Sequence, residues 1–192
     1  LIRTVRGDHL AIRRKARIKA IAWDVVEATC KKLPANVRAM VELQWWTGMR
    51  PGEVMRLRPC DIDMSGEVWV YTPAHHKNSW REKERHIPIG PQGRAVLEKH
   101  LPSKTDEWVF RRSDGKRFDR QSYARAITNA AADAKVETWA PNRIRHSYAT
   151  RVRLLHGPQA VADMLGHANL NQQAVYVEDA ILRAKRIAKE VG

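Results

Sequence analysis

Apolar positions recur at helical spacing over most of the chain. From Trp23, the pattern Val25, Val26, Cys30, Leu33 predicts an amphipathic helix. Pro34 opens a second, with Val37, Met40, Val41 and Leu43 along one face and Gly48 as its stop. Pro51 suits a first helical turn, with Val54 and Leu57 on one side before Pro59 ends the segment. Asp61 to Gly66 reads as a turn. The pattern then changes, because Glu67 to Tyr71 (EVWVY) has the bulky and β-branched residues of a strand and Arg85 to Ile89 (RHIPI) offers it a partner. The thirteen residues between them (TPAHHKNSWREKE) are too polar for a tight turn and read as an exposed loop.

Helical spacing returns afterwards. Helices are predicted over Pro91 to Leu101 and over the alanine-rich Arg120 to Lys135, with a short buried stretch at 107–110 between them. A further helix runs from Asn142, a residue type suited to an N-cap, to about Leu155, where His156-Gly157-Pro158 makes a turn. Another runs from Gln159 to about Gly166, and Ile181 to Val191 forms a final amphipathic helix. The fold class expected is mainly α with a small antiparallel β-sheet, an α+β domain. Residues 1–18, rich in Arg and Lys with few apolar positions, read as a basic linker or the remnant of a preceding domain, and 19–192 as one domain.

Composition sharpens this. Thirty-five Lys and Arg against 21 Asp and Glu leave a net charge of +14 over 192 residues, which makes polyanions the natural partners. DNA presents a phosphate charge about every 1.7 Å along its axis, and released counterions favour each cation that replaces them. No apolar run approaches the roughly 18 residues of a membrane span, and no membrane association is expected. The chain reads as cytoplasmic. Cys30 and Cys60 lack metal-ligand spacing and read as two buried thiols, and His75-His76 lacks further ligands, so no metal or other cofactor is implied.

Four segments carry chemistry: TGMRPGEVMRL (47–57), HHKNSW (75–80), IRHSYAT (144–150) and LGHANLNQQAVY (165–176). Singly, each has a plain reading. Arg50 alone could be a surface arginine, Arg145 an intrahelical ion-pair partner, and Asn142 a helix cap. Trp45 and Trp46 suit core packing, whereas Trp80 suits a loop anchor or a DNA contact. His146-Ser147 suggests a serine nucleophile only weakly, since adjacent helical side chains diverge and no acidic partner is apparent.

Taken together, the order and spacing of these segments resemble the tyrosine recombinase, or phage integrase, family. Thr47, Gly48, Arg50, Glu53 and Leu57 match its T-G-x-R-x-x-E-x-x-x-L pattern, which gives Arg50 the first phosphate-binding role. Arg85, Ile87, Pro88 and Ile89 match the strand that follows the family lysine, for which Lys77 is the candidate and Lys83 the rival. Arg145 and His146 match H-x-x-R-H, but Asn142 stands where the family has its first histidine. Leu165-Gly166-His167 supplies the next histidine, and Tyr176, nine residues later, falls at the nucleophile position; Tyr148 matches an aromatic packing position instead.

The resemblance implies the catalytic core fold of the DNA breaking-rejoining enzymes, preceded in the family by a core-binding domain of which 1–18 would be the exit. It implies site-specific recombination on double-stranded DNA through a 3′-phosphotyrosyl intermediate. The nucleophile is Tyr176, assisted by Arg50, Lys77, Arg145 and His167, with Glu53 and His146 in support. A homo-tetramer on two DNA sites, a monomer in isolation, exchange of 181–191 between neighbours and a nucleoid-associated, bacterial or phage-type setting follow from the same resemblance. Strand relaxation of the type IB topoisomerase kind and a non-catalytic DNA-binding regulator of the same fold are the alternatives.

The chemistry suits these residue types. Attack on a phosphodiester adds negative charge to the non-bridging oxygens, which guanidinium groups meet in bidentate fashion. Lysine can protonate the departing 5′ oxygen. A phenol with an ordinary pKa of about 10 needs a base or a cationic field near neutrality, and Asn142 cannot serve as that base.

Overall fold

The computed structural model describes residues 20–74, 85–165 and 184–191. Helix α1 (Trp23–Cys30) is followed by α2 (Ala35–Thr47), which starts after the fixed φ of Pro34 and ends at Gly48. Gly48 adopts φ 65°, and its N–H closes on the Gln44 carbonyl at 2.9 Å. This left-handed cap turns the chain into α3 (Pro51–Val54), with Pro51 at its first position. A single 3-10 turn at Pro59–Asp61 then leads into the sheet.

Among the described residues the sheet has three antiparallel strands in the order β1 (Ile62–Asp63), β2 (Trp69–Tyr71), β3 (Ile87–Ile89). Tyr71 lies opposite both Ile62 and Ile87, so β2 is central. Two of these strands were expected. The third, β1, falls inside the stretch Asp61 to Gly66 that reads as a turn, and two residues are too few to show a period of two. Its presence also shortens β2, since Glu67 and Val68 belong to the bend between them.

Helix α4 (Pro91–Glu98) stops short of Leu101, and Val109 and Phe110 are buried without regular structure. Helix α5 (Arg120–Asp133) is held at its start by a reciprocal cap. The Ser122 N–H donates to Asp119 Oδ1 at 2.7 Å, and the Asp119 N–H donates to Ser122 Oγ at 3.2 Å. Helix α6 (Asn142–Leu165) bends at Gly157, where φ is 81° and ψ 177°, so its two halves match the two helices expected on either side of that turn. Asn142 is the first helical residue and is exposed.

Two apolar clusters hold these elements. The larger joins α1 to α5 and the sheet through residues such as Met40, Leu43, Leu57, Tyr71, Ile89, Leu97 and Ile127. The smaller is built on α6 by Tyr148, Val152, Ala160 and Met164, covered by Ala184, Ile187, Ala188 and Val191 of α7 (184–191). The final helix therefore packs on its own chain here, and Lys189 Nζ reaches Glu67 at 2.6 Å. Trp45 is buried, as expected of a core residue, with Trp46 packed beside it. Cys60 corrects an expectation: Cys30 is buried, but Cys60 is exposed, because the 3-10 turn presents its side chain outward. Among the described residues no helix is long and apolar enough to cross a membrane.

Candidate active site

The turn between α2 and α3 is fixed before any charged group is added. Gln44, fully buried, donates from Nε2 to the Met49 carbonyl at 2.8 Å and accepts from Tyr123 Oη at 2.7 Å. The ring of Tyr148 on α6 lies against Gly48 so closely that a Cβ there would stand 2.4 Å from its Cδ1. Helix α6 can approach this turn only because residue 48 has no side chain.

Glu53 occupies the centre of what this turn presents. Its side chain is 4% exposed. One oxygen, Oε2, accepts the Arg50 backbone N–H at 2.6 Å, and the other, Oε1, accepts from Arg50 Nη1 at 2.8 Å. Arg85, entering β3, brings its Nε to 3.6 Å from the same Oε1. Tyr71 Oη donates to the Glu53 backbone carbonyl at 3.2 Å, tying α3 to the middle strand.

Arg145 arrives from α6. It is 7% exposed, and it donates from Nη1 to the Gly48 carbonyl at 2.7 Å and from Nη2 to the Leu165 carbonyl at 2.9 Å. The Gly48 carbonyl is one of the last of α2, which lacks an intrahelical partner and is here used to hold a cation. Arg50 and Arg145, far apart in the chain, thus converge on one turn.

The electrostatics follow from this crowding. Burial pushes the Glu53 carboxyl up, but Arg85, the Arg50 N–H, and the Arg50 and Arg145 guanidiniums outweigh it, and the net pKa lies below the ordinary value. Burial, then Arg50 and Arg85, pull Arg145 down, with Glu53 opposing; it remains charged at neutral pH. Among the described residues, three guanidiniums against one carboxylate leave two positive charges in excess in a largely desolvated corner. Of the three, Arg50, whose side chain is 28% exposed, is the one that reaches the surface. Such a corner suits a dianionic phosphorane better than a monoanionic diester.

Of the remaining candidates, His146 is half-buried and Asn142 exposed at the start of α6. Lys77, His167 and Tyr176 lie outside the described residues, as do Lys83, Trp80, His75 and His76. Ser147 is engaged elsewhere: its hydroxyl donates to the Ile21 carbonyl at 2.8 Å and accepts the Ile21 N–H at 2.7 Å, which leaves no free nucleophile. Tyr148 is fully buried, and burial raises its phenol well above the ordinary value, so it stays neutral inside the core.

The residue that sequence reasoning passed over is Arg85, taken only as part of a strand motif. Its signal was present: an arginine leading into Ile87, Pro88 and Ile89, all buried, has to find a buried anion or carbonyls of its own.

The model of the phage integrase family matches residues 19–182. Tyrosine recombinase XerD of Oceanobacillus iheyensis is 29% identical over 166 residues, covering 80% of this chain and 54% of that protein. The crystal structure of a lambda integrase (75–356) dimer bound to a COC' core site superposes with a TM-score of 0.65 at 16% identity, over 88% of this chain and 66% of the other. The structure of the lambda integrase catalytic core gives 0.63 at 14% identity, over 81% of this chain and 96% of the other. The chain spans about half the length of the curated relatives it matches. With one family model matched from residue 19 to residue 182 and the fold shared with integrases of solved structure, this chain belongs to the phage integrase family.

Proposed function

We propose that this chain is the catalytic domain of a tyrosine-type site-specific recombinase, which cuts and rejoins double-stranded DNA through a 3′-phosphotyrosyl intermediate. The observation that carries the reading is the convergence of Arg50 and Arg145 on one turn around Glu53, where, with the buried Arg85 behind them, the guanidiniums outnumber the carboxylate among the described residues. The family pattern and the net charge of +14 support it.

In this reading the phenol oxygen of Tyr176 attacks the scissile phosphorus. A tyrosyl-phosphate bond forms and the bond to the 5′ oxygen breaks. Arg50, Arg145 and His167 stabilise the charge that develops on the non-bridging oxygens, and Lys77 gives the departing 5′ oxygen its proton. The phenolic proton leaves to water, because Asn142 cannot accept it. A 5′ hydroxyl from another strand then reverses the step, restoring the phosphodiester and the phenol. No metal takes part in this scheme. Glu53 and His146 support the clamp, and residues 1–18 lead in from a preceding DNA-clamping domain.

On DNA the assembly we propose is a homo-tetramer across two sites, with an isolated monomer as its starting state. The lambda integrase dimer bound to a COC' core site supports DNA as the partner. Exchange between neighbours would require α7 to leave the α6 surface it covers.

The test uses a pool of nicked duplexes of randomised sequence, from which the strand beyond the scissile phosphate can diffuse away. Wild type should form an adduct that survives a denaturing gel, and Tyr176→Phe should not. An adduct persisting in the Phe variant, or strand relaxation without exchange between duplexes, would overturn the assignment.

A further inference from the structure

Arg85 is 5% exposed and lies behind the arginine pair, at the entry to β3. Its Nη1 donates to the His86 carbonyl at 3.1 Å and to the Met164 carbonyl at 3.2 Å, while its Nε faces Glu53 Oε1 at 3.6 Å. Arg145 takes the next carbonyl, Leu165, at 2.9 Å. Two neighbouring carbonyls in the last turn of α6 are therefore held by two guanidiniums that share one carboxylate environment.

We propose that Arg85 is a positioning residue for the arginine pair. It fixes the Glu53 carboxylate on which Arg50 rests, and it fixes the end of α6, on which Arg145 rests, in one rigid unit. The inference builds on the proposed recombinase reading, because it supposes that Arg50 and Arg145 meet a phosphate. Arg85 itself faces the protein interior and would not touch the DNA.

Only a guanidinium satisfies this geometry, since it presents several donors in one plane. Lysine at this position could pair with Glu53 or with the Met164 carbonyl, but a single ammonium on a flexible stem does not bridge both in fixed geometry. An apolar residue would leave Glu53 without its second cation and the Met164 carbonyl without a donor. Arg85 Nε and Nη2 have no hydrogen-bond partner among the described residues, so within that set only part of the donor capacity is used. The cost of burying those donors is consistent with a role that apolar packing cannot fill.

The experiment compares wild type, Arg85→Met and Arg85→Lys by two independent readouts. The first is the single-turnover rate of covalent adduct formation at saturating nicked duplex, alongside affinity for the same duplex. Arg85→Met should lower the rate about 100-fold, the scale of a 1 Å misplacement. Affinity should stay unchanged, because it rests on surface phosphate contacts. Arg85→Lys should fall between the two.

The second readout is the side-chain Nε–H resonances of Arg50 and Arg145 in labelled protein without DNA. Both should shift and exchange faster with solvent in either variant. A merely structural role would lower the unfolding midpoint but leave the saturating rate and these resonances at their wild-type values, and that result overturns the proposal. If Arg85→Met fails to fold, Arg85→Lys decides by the same criteria. Should wild type itself form no adduct, the recombinase reading fails, while the resonances still decide whether Arg85 orders the pair.

Discussion

Replacing Glu53 by Gln removes the one carboxylate among the described residues that faces Arg50, Arg85 and Arg145, at almost constant volume. The gross attraction of unit charges at 2.8 Å, the Arg50 separation, is about 6 kcal/mol at an effective dielectric of 20, and at 3.6 Å, the Arg85 separation, about 5 kcal/mol. Desolvation offsets most of this, and removing one partner of a buried pair costs about 3–5 kcal/mol net. Gln keeps one carbonyl acceptor for either the Arg50 N–H or its guanidinium but turns an amide toward the other. Glu53→Gln should therefore cost about 3 kcal/mol, the low end of that range.

The assay is urea unfolding of both proteins between pH 4 and pH 8. The folded Glu53 pKa lies below the unfolded value of about 4.3, so its contribution is complete above that value and is lost as the pH falls through the folded pKa. The gap between wild type and variant should be constant from pH 8 to about pH 5 and narrow below. A gap under about 1 kcal/mol at pH 7, the range of an exposed ion pair, would refute the reasoning. A gap that widened on acidification would refute it equally, since it would require a carboxyl stabilised in its protonated form.

Other consequences are as concrete. Gly48→Ala must place a Cβ 2.4 Å from the Tyr148 ring at φ 65°, so about 1–2 kcal/mol of backbone strain and about 1–3 kcal/mol of overpacking should appear in chemical denaturation. Gly115→Ala, at φ 75° with nothing within 4 Å of the new Cβ, should lose only the backbone part, about 1–2 kcal/mol; equal losses at both sites would refute the packing argument. An alkylating reagent at neutral pH should label Cys60 in the native protein and Cys30 only after unfolding, because burial first, then Glu42 and Glu27 against Arg38, push the Cys30 thiol up to about 12. Mass spectrometry of the labelled peptides checks this, and rapid native labelling of Cys30 would contradict the core described. If Asn142 leaves the site without a base, Asn142→His should raise the rate of adduct formation at least about 100-fold, the lower end of general base catalysis, and an unchanged rate would show that the site lacks nothing there.

The helices were legible because each buries one face of a repeating pattern and is punctuated by Pro34, Gly48, Pro51 or Gly157, residues whose backbone preferences act locally. Strand β1 was not, because its two residues owe their conformation to pairing with Val70 and Tyr71 and to nothing in their own pattern. Cys60 misled for a related reason: an apolar-looking position in a short turn faces outward according to how the 3-10 turn meets its neighbours.

The site divides along the same line. Arg50 and Arg145 stood out in the sequence because each sits in a short pattern that resembles the family's, and each pattern is held in one local frame, a left-handed glycine turn and the first turns of a helix. Arg85 did not, because its partners are Glu53 from one element and the Met164 carbonyl from another, and neither contact has a local spacing to display. A cation in a compact local frame leaves a motif, while a cation whose partners are a distant carbonyl and a buried carboxylate leaves a composition anomaly, a charge at the mouth of an apolar strand. The uncompensated charge of the corner depends on both kinds. Without Arg85, Glu53 would neutralise more of Arg50, and the clamp would present a weaker field to the phosphate it is proposed to hold.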